Sequence, residues 1–157
     1  HLGVPKENEM VGAGVSYCAT CDGAFFRNLD VAVIGGGNTA LQEAVMLSDI
    51  CKNVTVIQNL PYMTGEKRLL AILEKKNNVN MIFNTVVTEL EANNGELCAI
   101  KIKNNENGEE SRFALDGMFI AIVINTIMLS KNIDNVIPRN SLNFCFFSFF
   151  SSFLFWS

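Results

Sequence analysis

Residues 18–40 read Cys18-Ala19-Thr20-Cys21-Asp22-Gly23-Ala24-Phe25-Phe26-Arg27-Asn28-Leu29-Asp30-Val31-Ala32-Val33-Ile34-Gly35-Gly36-Gly37-Asn38-Thr39-Ala40. Two chemical devices sit in this span. Cys18 and Cys21 form a Cys-x-x-Cys pair. Gly35-x-Gly37-x-x-Ala40 is a glycine turn placed directly after the apolar run Val31-Ala32-Val33-Ile34. That run, bounded by Asp30 and three glycines, reads as a buried parallel strand. Residues 38–49 follow with Ala40, Leu41, Ala44, Val45 and Leu47 at helical spacing, which places Gln42 and Glu43 on the outward side. Val54-Thr55-Val56-Ile57 is a second buried strand. Residues 31–57 therefore form a βαβ unit, the context in which a glycine turn reads as a dinucleotide cradle.

Each residue of the cradle has a physical task. Gly35 permits the tight turn, Gly37 lets the backbone approach a pyrophosphate, and Ala40 lets the helix pack close on the strand. Gly36 lies between the two. Asn38 and Thr39 open the helix, where free N–H groups favour phosphate. The alternative is a glycine turn kept for packing alone. The end of the second strand should state the nucleotide, through a carboxylate for a ribose 2′-OH or an arginine cluster for a 2′-phosphate. Gln58 stands there, followed by Asn59, Leu60 and Pro61, so the nucleotide preference is unmarked. Lys67 and Arg68 read as solvated helix charges.

A Cys-x-x-Cys beside a βαβ unit reads as a redox pair. The other readings are a zinc site and two structural thiols. Zinc takes about four ligands, whereas Cys51, Cys98 and Cys145 are scattered and the one histidine is His1. A cysteine at a helix start meets a positive local dipole that favours thiolate. Thr20 is the expected cap of a short helix running to Phe26. Asp22, next to Cys21, is the candidate proton shuttle, with a plain helix-start carboxylate as the other reading.

The 157 residues suffice for one sizeable core. A net charge of −4 and a pI near 5.0 argue against a nucleic-acid partner, and no basic amphipathic stretch suggests a membrane surface. An odd count of five cysteines with no signal pattern fits a reducing cytoplasm. The start, His1-Leu2-Gly3-Val4-Pro5, reads as sequence from inside a longer protein.

Residues 1–14 read as a linker. Residues 65–76 read as a second amphipathic helix and residues 81–83 as a third strand. Residues 85–92, 97–103 and 111–115 alternate or nearly so. Asn93-Asn94-Gly95 and Asn107-Gly108 separate them, giving an antiparallel meander. Residues 118–123 are a further buried strand. Residues 143–157 are almost only Phe and Ser, too short for a membrane helix of about 20 residues.

Residues 14–26 and 31–40 together resemble the low-molecular-weight flavoprotein thioredoxin reductases, of a clostridial-type branch, over about residues 1–121. The resemblance implies an α/β, Rossmann-like three-layer nucleotide-binding domain with a parallel sheet plus an antiparallel meander, and an irregular apolar tail. It implies that Cys18 attacks thioredoxin, Cys21 faces the flavin and Asp22 is the acid/base. Gly35, Gly36, Gly37, Asn38, Thr39, Ala40 and Gln58 fall on the nucleotide-binding positions. The implied cofactors are FAD and NAD(P)H, the partner is thioredoxin, and the usual state is a homodimer. The implied domains are an inter-domain linker and entry strand (1–14), the nucleotide and redox-disulfide domain (15–117), a return strand toward an FAD domain (118–129) and a tail outside the family pattern (130–157).

Two departures accompany the resemblance. The family's His-Arg-Arg-x-x-x-Arg clamp for the NADP 2′-phosphate would begin at Gln58 and is absent. Electrons from NADH, ferredoxin or another donor therefore come into question. The flavin-binding stretches on either side are also not in this sequence, and the tail reads as the product of a lost frame. The expected function is a thioredoxin-disulfide reductase, incomplete in this chain. The rivals are a stand-alone dinucleotide-binding module and a thiol redox adaptor without flavin turnover.

Overall fold

The computed structural model describes residues 1–122. The expected apolar tail and the end of the expected return strand lie outside the described residues.

Five parallel strands form the central sheet, in the order β1-β8-β2-β3-β4. They are β1 (Val15–Ser16), β2 (Asp30–Ile34), β3 (Asn53–Ile57), β4 (Val79–Ile82) and β8 (Gly117–Ile120). β2 and β3 are buried after their first residue, and β8 is buried throughout. This is the continuous apolar run of a sheet covered on both faces. The faces alternate along each strand. Val31, Val33, Val54, Val56 and Phe119 meet Ala40, Leu41, Ala44 and Leu47 of α2 (Asn38–Ser48) and Leu73 of α3 (Lys67–Leu73). Ala32, Ile34, Ile57, Met118 and Ile120 meet the second sheet.

That second sheet is the meander β5 (Thr85–Asn93), β6 (Glu96–Asn104) and β7 (Glu110–Ala114). Helices, parallel sheet and meander are the three layers expected. The β5–β6 turn places Asn94 and Gly95 at φ 53° and 88°, the two positive angles of a tight hairpin turn. The imperfect alternation of β5 has a cause. Val87 pairs with Ile102 and Glu89 with Lys101, so Thr88 is an extra residue, a bulge. The buried positions then run Thr85, Val87, Leu90.

Three expectations need correction. The cap of the redox helix is Cys18, and the helix α1 covers only Ala19–Asp22 before a 3-10 turn over Gly23–Phe26. The expected helix over 65–76 shortens to α3. Thr64 and Gly65 give their amide N–H groups to the Gly36 carbonyl, and Glu66 gives its own to Asn38 Oδ1, so these residues are held by the glycine turn. The expected third strand moves from 81–83 to Val79–Ile82, in register with β3. Within residues 1–14, Glu7 and Met10 are buried and Asn8–Met10 forms a 3-10 turn. β8, which starts at Gly117, pairs with both β1 and β2.

Candidate active site

Cys18 and Cys21 are joined as a disulfide, with their Cα atoms 5.3 Å apart. Cys18 is extended, at φ −146°, and caps α1. Its Sγ accepts from the Cys21 N–H at 3.2 Å, and its carbonyl accepts from Cys21 and Asp22. Cys18 is half-buried and Cys21 is exposed.

Ser16 organises this turn. It is 3% exposed, donates from Oγ to Asp22 Oδ2 at 2.7 Å and accepts from the Cys18 N–H at 3.0 Å. One hydroxyl thus ties the carboxylate that follows the pair to the amide that begins it. Sequence reasoning named Asp22 as a candidate and missed Ser16. The available signal was a small hydroxyl two residues before the first cysteine, at the end of a strand.

Tyr17 is anchored from the other side. Its hydroxyl donates to Glu7 Oε1 at 2.6 Å, and the amides of Leu2 and Gly3 donate to the same carboxylate. Burial opposes the Glu7 charge, but the Tyr17 hydroxyl and the two amides outweigh it and hold the carboxyl below the usual range. Burial and the Glu7 carboxylate push the Tyr17 phenol up to about 12.

α2 connects the redox turn to the glycine cradle. Its C-terminal end supports α1 and the 3-10 turn after it, where an added Cβ on Gly23 would meet Leu47 Cδ2 at 3.1 Å and, just past the helix, Ile50 Cδ1 at 3.3 Å. Its N-terminus begins at the cradle, about 13 Å from Leu47 at the usual helical rise. Glu43, expected on the outward face, is half-buried, with one carboxylate oxygen wholly enclosed. Burial pushes this carboxyl above the usual range, with the Ala19 amide pulling the other way.

In the cradle, Gly35 has φ +129°, and a Cβ there would lie 2.8 Å from the Ala121 carbonyl oxygen. Only glycine fits such a conformation and such an approach. Gly37 caps α2 with no side chain satisfying the first amides, and Asn38 and Thr39 are exposed. Open helix-start amides behind a glycine are what a pyrophosphate requires, so these residues fit a dinucleotide. Ala40 is fully buried against the sheet.

Gln58 is 5% exposed and folds over Gly36, where a Cβ would come within 2.4 Å of its Nε2. It donates to the Tyr62 carbonyl and accepts from the Asn59 N–H. The structure therefore gives it a role in closing the cradle. Glu66 lies beside it, with Asn38 Nδ2 donating to Oε1 at 3.3 Å and Arg68 paired to the other oxygen.

The remaining cysteines within the described residues stand apart. Burial pushes the Cys51 thiol up to about 11, which leaves it unreactive. Cys98 donates to the Glu91 carbonyl at 3.4 Å. Among the described residues no three His, Cys, Asp or Glu side chains gather as a metal site. No helix among them is long and apolar enough to cross a membrane.

A glycine cradle at one end of α2 and a disulfide-bearing turn packed toward its other end define a class in which a dinucleotide and a disulfide share one domain. The profile of the pyridine nucleotide-disulphide oxidoreductases matches residues 1–135, and the chain belongs to that family. It is 37% identical over 135 residues to the thioredoxin reductase of Bacillus subtilis, covering 86% of this chain and 42% of that protein. The thioredoxin reductase of Lactococcus lactis, solved in its FR conformation, superposes with a TM-score of 0.77 at 34% identity, over 78% of this chain and 41% of that one. A glucosaminate ammonia-lyase of Pseudomonas fluorescens is 41% identical over 129 residues, 78% of this chain and 39% of that protein. The chain thus spans about two fifths of the relatives it matches.

Proposed function

We propose that this chain is the pyridine-nucleotide and redox-disulfide part of a thioredoxin-disulfide reductase, passing electrons from a reduced nucleotide or another donor through FAD to Cys18–Cys21 and on to thioredoxin. The observation that carries this reading is the Cys18–Cys21 disulfide, on a turn seated on the helix that opens at the glycine cradle. In the whole protein, residues 1–14 enter the domain and the chain leaves it after β8 toward the FAD domain. FAD supplies, when bound, the two electrons that open the disulfide. NAD(P)H is held by Gly35, Gly37 and the amides at Asn38 and Thr39, with Gln58 closing the turn. No cation stands at Gln58 to mark a 2′-phosphate. The reaction belongs to a soluble cytoplasmic protein, in the family's usual homodimer.

The chain's own residues then act in order. Once the pair is reduced, the Cys18 thiolate attacks a sulfur of the thioredoxin disulfide. A mixed disulfide forms, and the first thioredoxin thiolate leaves. Cys21 attacks Cys18 Sγ, reforms the internal disulfide and releases the second thioredoxin thiolate. Asp22, aimed by Ser16, supplies a proton to a departing thiolate. Two electrons pass to thioredoxin and the Cys18–Cys21 bond is restored.

The test is trapping. Cys21→Ser leaves Cys18 without its resolving partner and is expected to hold thioredoxin as a mixed disulfide, whereas Cys18→Ser holds none. Equal trapping by both variants would overturn the assignment of Cys18 as attacker. Trapping by neither would overturn the reductase reading.

A further inference from the structure

No cation stands at the end of β3, yet the fold brings one to the glycine cradle from further along the chain. Residues 64–66 lie against the start of α2. The Thr64 and Gly65 amides donate to the Gly36 carbonyl at 2.8 and 2.9 Å. A Cβ added to Gly65 would lie 2.6 Å from Leu41 Cδ1 and 3.1 Å from the Asn38 amide nitrogen, so the absence of a side chain lets the segment come this near. Glu66 then pairs with Asn38 twice. Its N–H donates to Asn38 Oδ1 at 2.7 Å, and its Oε1 accepts from Asn38 Nδ2 at 3.3 Å. On the other carboxylate oxygen, Oε2, Arg68 Nε donates at 2.5 Å. One carboxylate therefore separates the Arg68 guanidinium from the first residue of α2.

The sequence reads Arg68 as a solvated helix charge, but its surroundings give it more to do. Glu66 occupies Nε alone, and the two terminal nitrogens have no hydrogen-bond partner among the described residues. Those nitrogens form a planar fork that phosphate oxygens accept. The side chain is 75% exposed, so a ligand can reach it. Long side chains on a helix lean toward its N-terminus. Arg68 is the second residue of α3, and the start of α3 is the end bonded to α2.

The local charge points the same way. The glycine turn, the first turn of α2, the segment 58–66 and the first turn of α3 carry Glu66, Lys67 and Arg68 as their charged side chains. One carboxylate meets two cations, so the mouth of the cradle is net positive in a chain of net charge −4. The next carboxylate along α2, Glu43, is half-buried.

We propose that Arg68 is a phosphate-binding residue of the nucleotide site, its terminal nitrogens donating to a phosphate of the bound pyridine dinucleotide. The proposal rests on the reading of the glycine turn as a dinucleotide cradle. Two phosphates have this chemistry: the diphosphate, shared by NADH and NADPH, and the 2′-phosphate, carried by NADPH alone. In both cases α3 supplies the cation that the end of β3 lacks.

The experiment titrates this chain with NADH and NADPH in a calorimeter at low and high salt, as wild type, Arg68→Ala and Lys67→Ala. Arg68→Ala should weaken NADPH binding about tenfold or more at low salt, the effect of hydrogen bonds to a charged group. The difference from wild type should shrink as salt rises. An equal loss of NADH affinity assigns Arg68 to the diphosphate, and an unchanged NADH affinity assigns it to the 2′-phosphate. Lys67→Ala should lose less; a loss as large as that of Arg68→Ala would reduce the effect to general charge and overturn the assignment. Equal affinities of wild type and Arg68→Ala for both dinucleotides would overturn the proposal while leaving the cradle reading intact. A wild type that binds neither would overturn the cradle reading and the proposal with it. A measurement on the wild type guards against a variant that fails to fold. The Arg68 side-chain N–H resonance, assigned with Arg68→Lys, should move on saturation with NADPH, and a resonance that stays in place would also overturn the proposal.

Discussion

Buried Glu7 and half-buried Glu43 set opposite pH responses. Glu7 is held below the usual carboxylate range, mainly against its own burial, by Tyr17 and two amides. Its stabilising effect is present above the unfolded value and is lost as pH falls through the folded one. Glu43 is raised by burial, so the folded chain binds its proton more tightly than the unfolded chain. That effect is present below the unfolded value and is lost as pH rises through the folded one. Glu43→Gln removes this loss. In urea unfolding at a series of pH values, Glu43→Gln should be more stable than the wild type above the titration range, with the gap closing in acid. A Glu43→Gln protein less stable at neutral pH would contradict the burial argument. Glu43 was the residue that sequence placed wrongly. Helical spacing puts it beside the apolar stripe, and nothing local to α2 reveals that α1 covers it. The pairing of Cys18 with Cys21 could be read from their spacing along the chain, while the hydrogen bond of Ser16 to Asp22 needed the turn between them.

At the scale of elements, α2 is the joint of the domain, and its start depends on Gly35. A side chain there meets both a positive φ and the Ala121 carbonyl oxygen. Gly35→Ala is expected to destabilise the fold by at least about 1–3 kcal/mol, the range for one strained backbone position, and to weaken dinucleotide binding. Calorimetric unfolding and nucleotide titration check this, and an unchanged midpoint with unchanged affinity would contradict it. The elements that could be read from sequence were those whose apolar period is unbroken, β2, α2, β3 and the meander. The period of β5 breaks at Thr88 because of the bulge, which explains the imperfect alternation there. The start of α3 could not be read, because residues 64–66 bond to Gly36 and Asn38, about 28 residues earlier in the chain.

Across the described residues as a whole, the three layers bury two separate apolar clusters, one on each face of the parallel sheet. One cluster holds the meander in place. The other packs α2 against the sheet and Ala19 of α1 with it, so the disulfide is mounted on the core. The layer order followed from the sequence because βαβ units and an alternating meander are distinct patterns. The closing of the cradle by Gln58 did not, since that contact is made by a folded-back side chain with no period. The most direct test mixes the fully reduced chain with oxidised thioredoxin and counts thiols on both proteins. Two electrons should pass to thioredoxin for each Cys18–Cys21 disulfide formed, and neither Cys18→Ser nor Cys21→Ser should complete the transfer. A reduced pair that leaves thioredoxin oxidised under conditions where dithiothreitol reduces it would contradict the account.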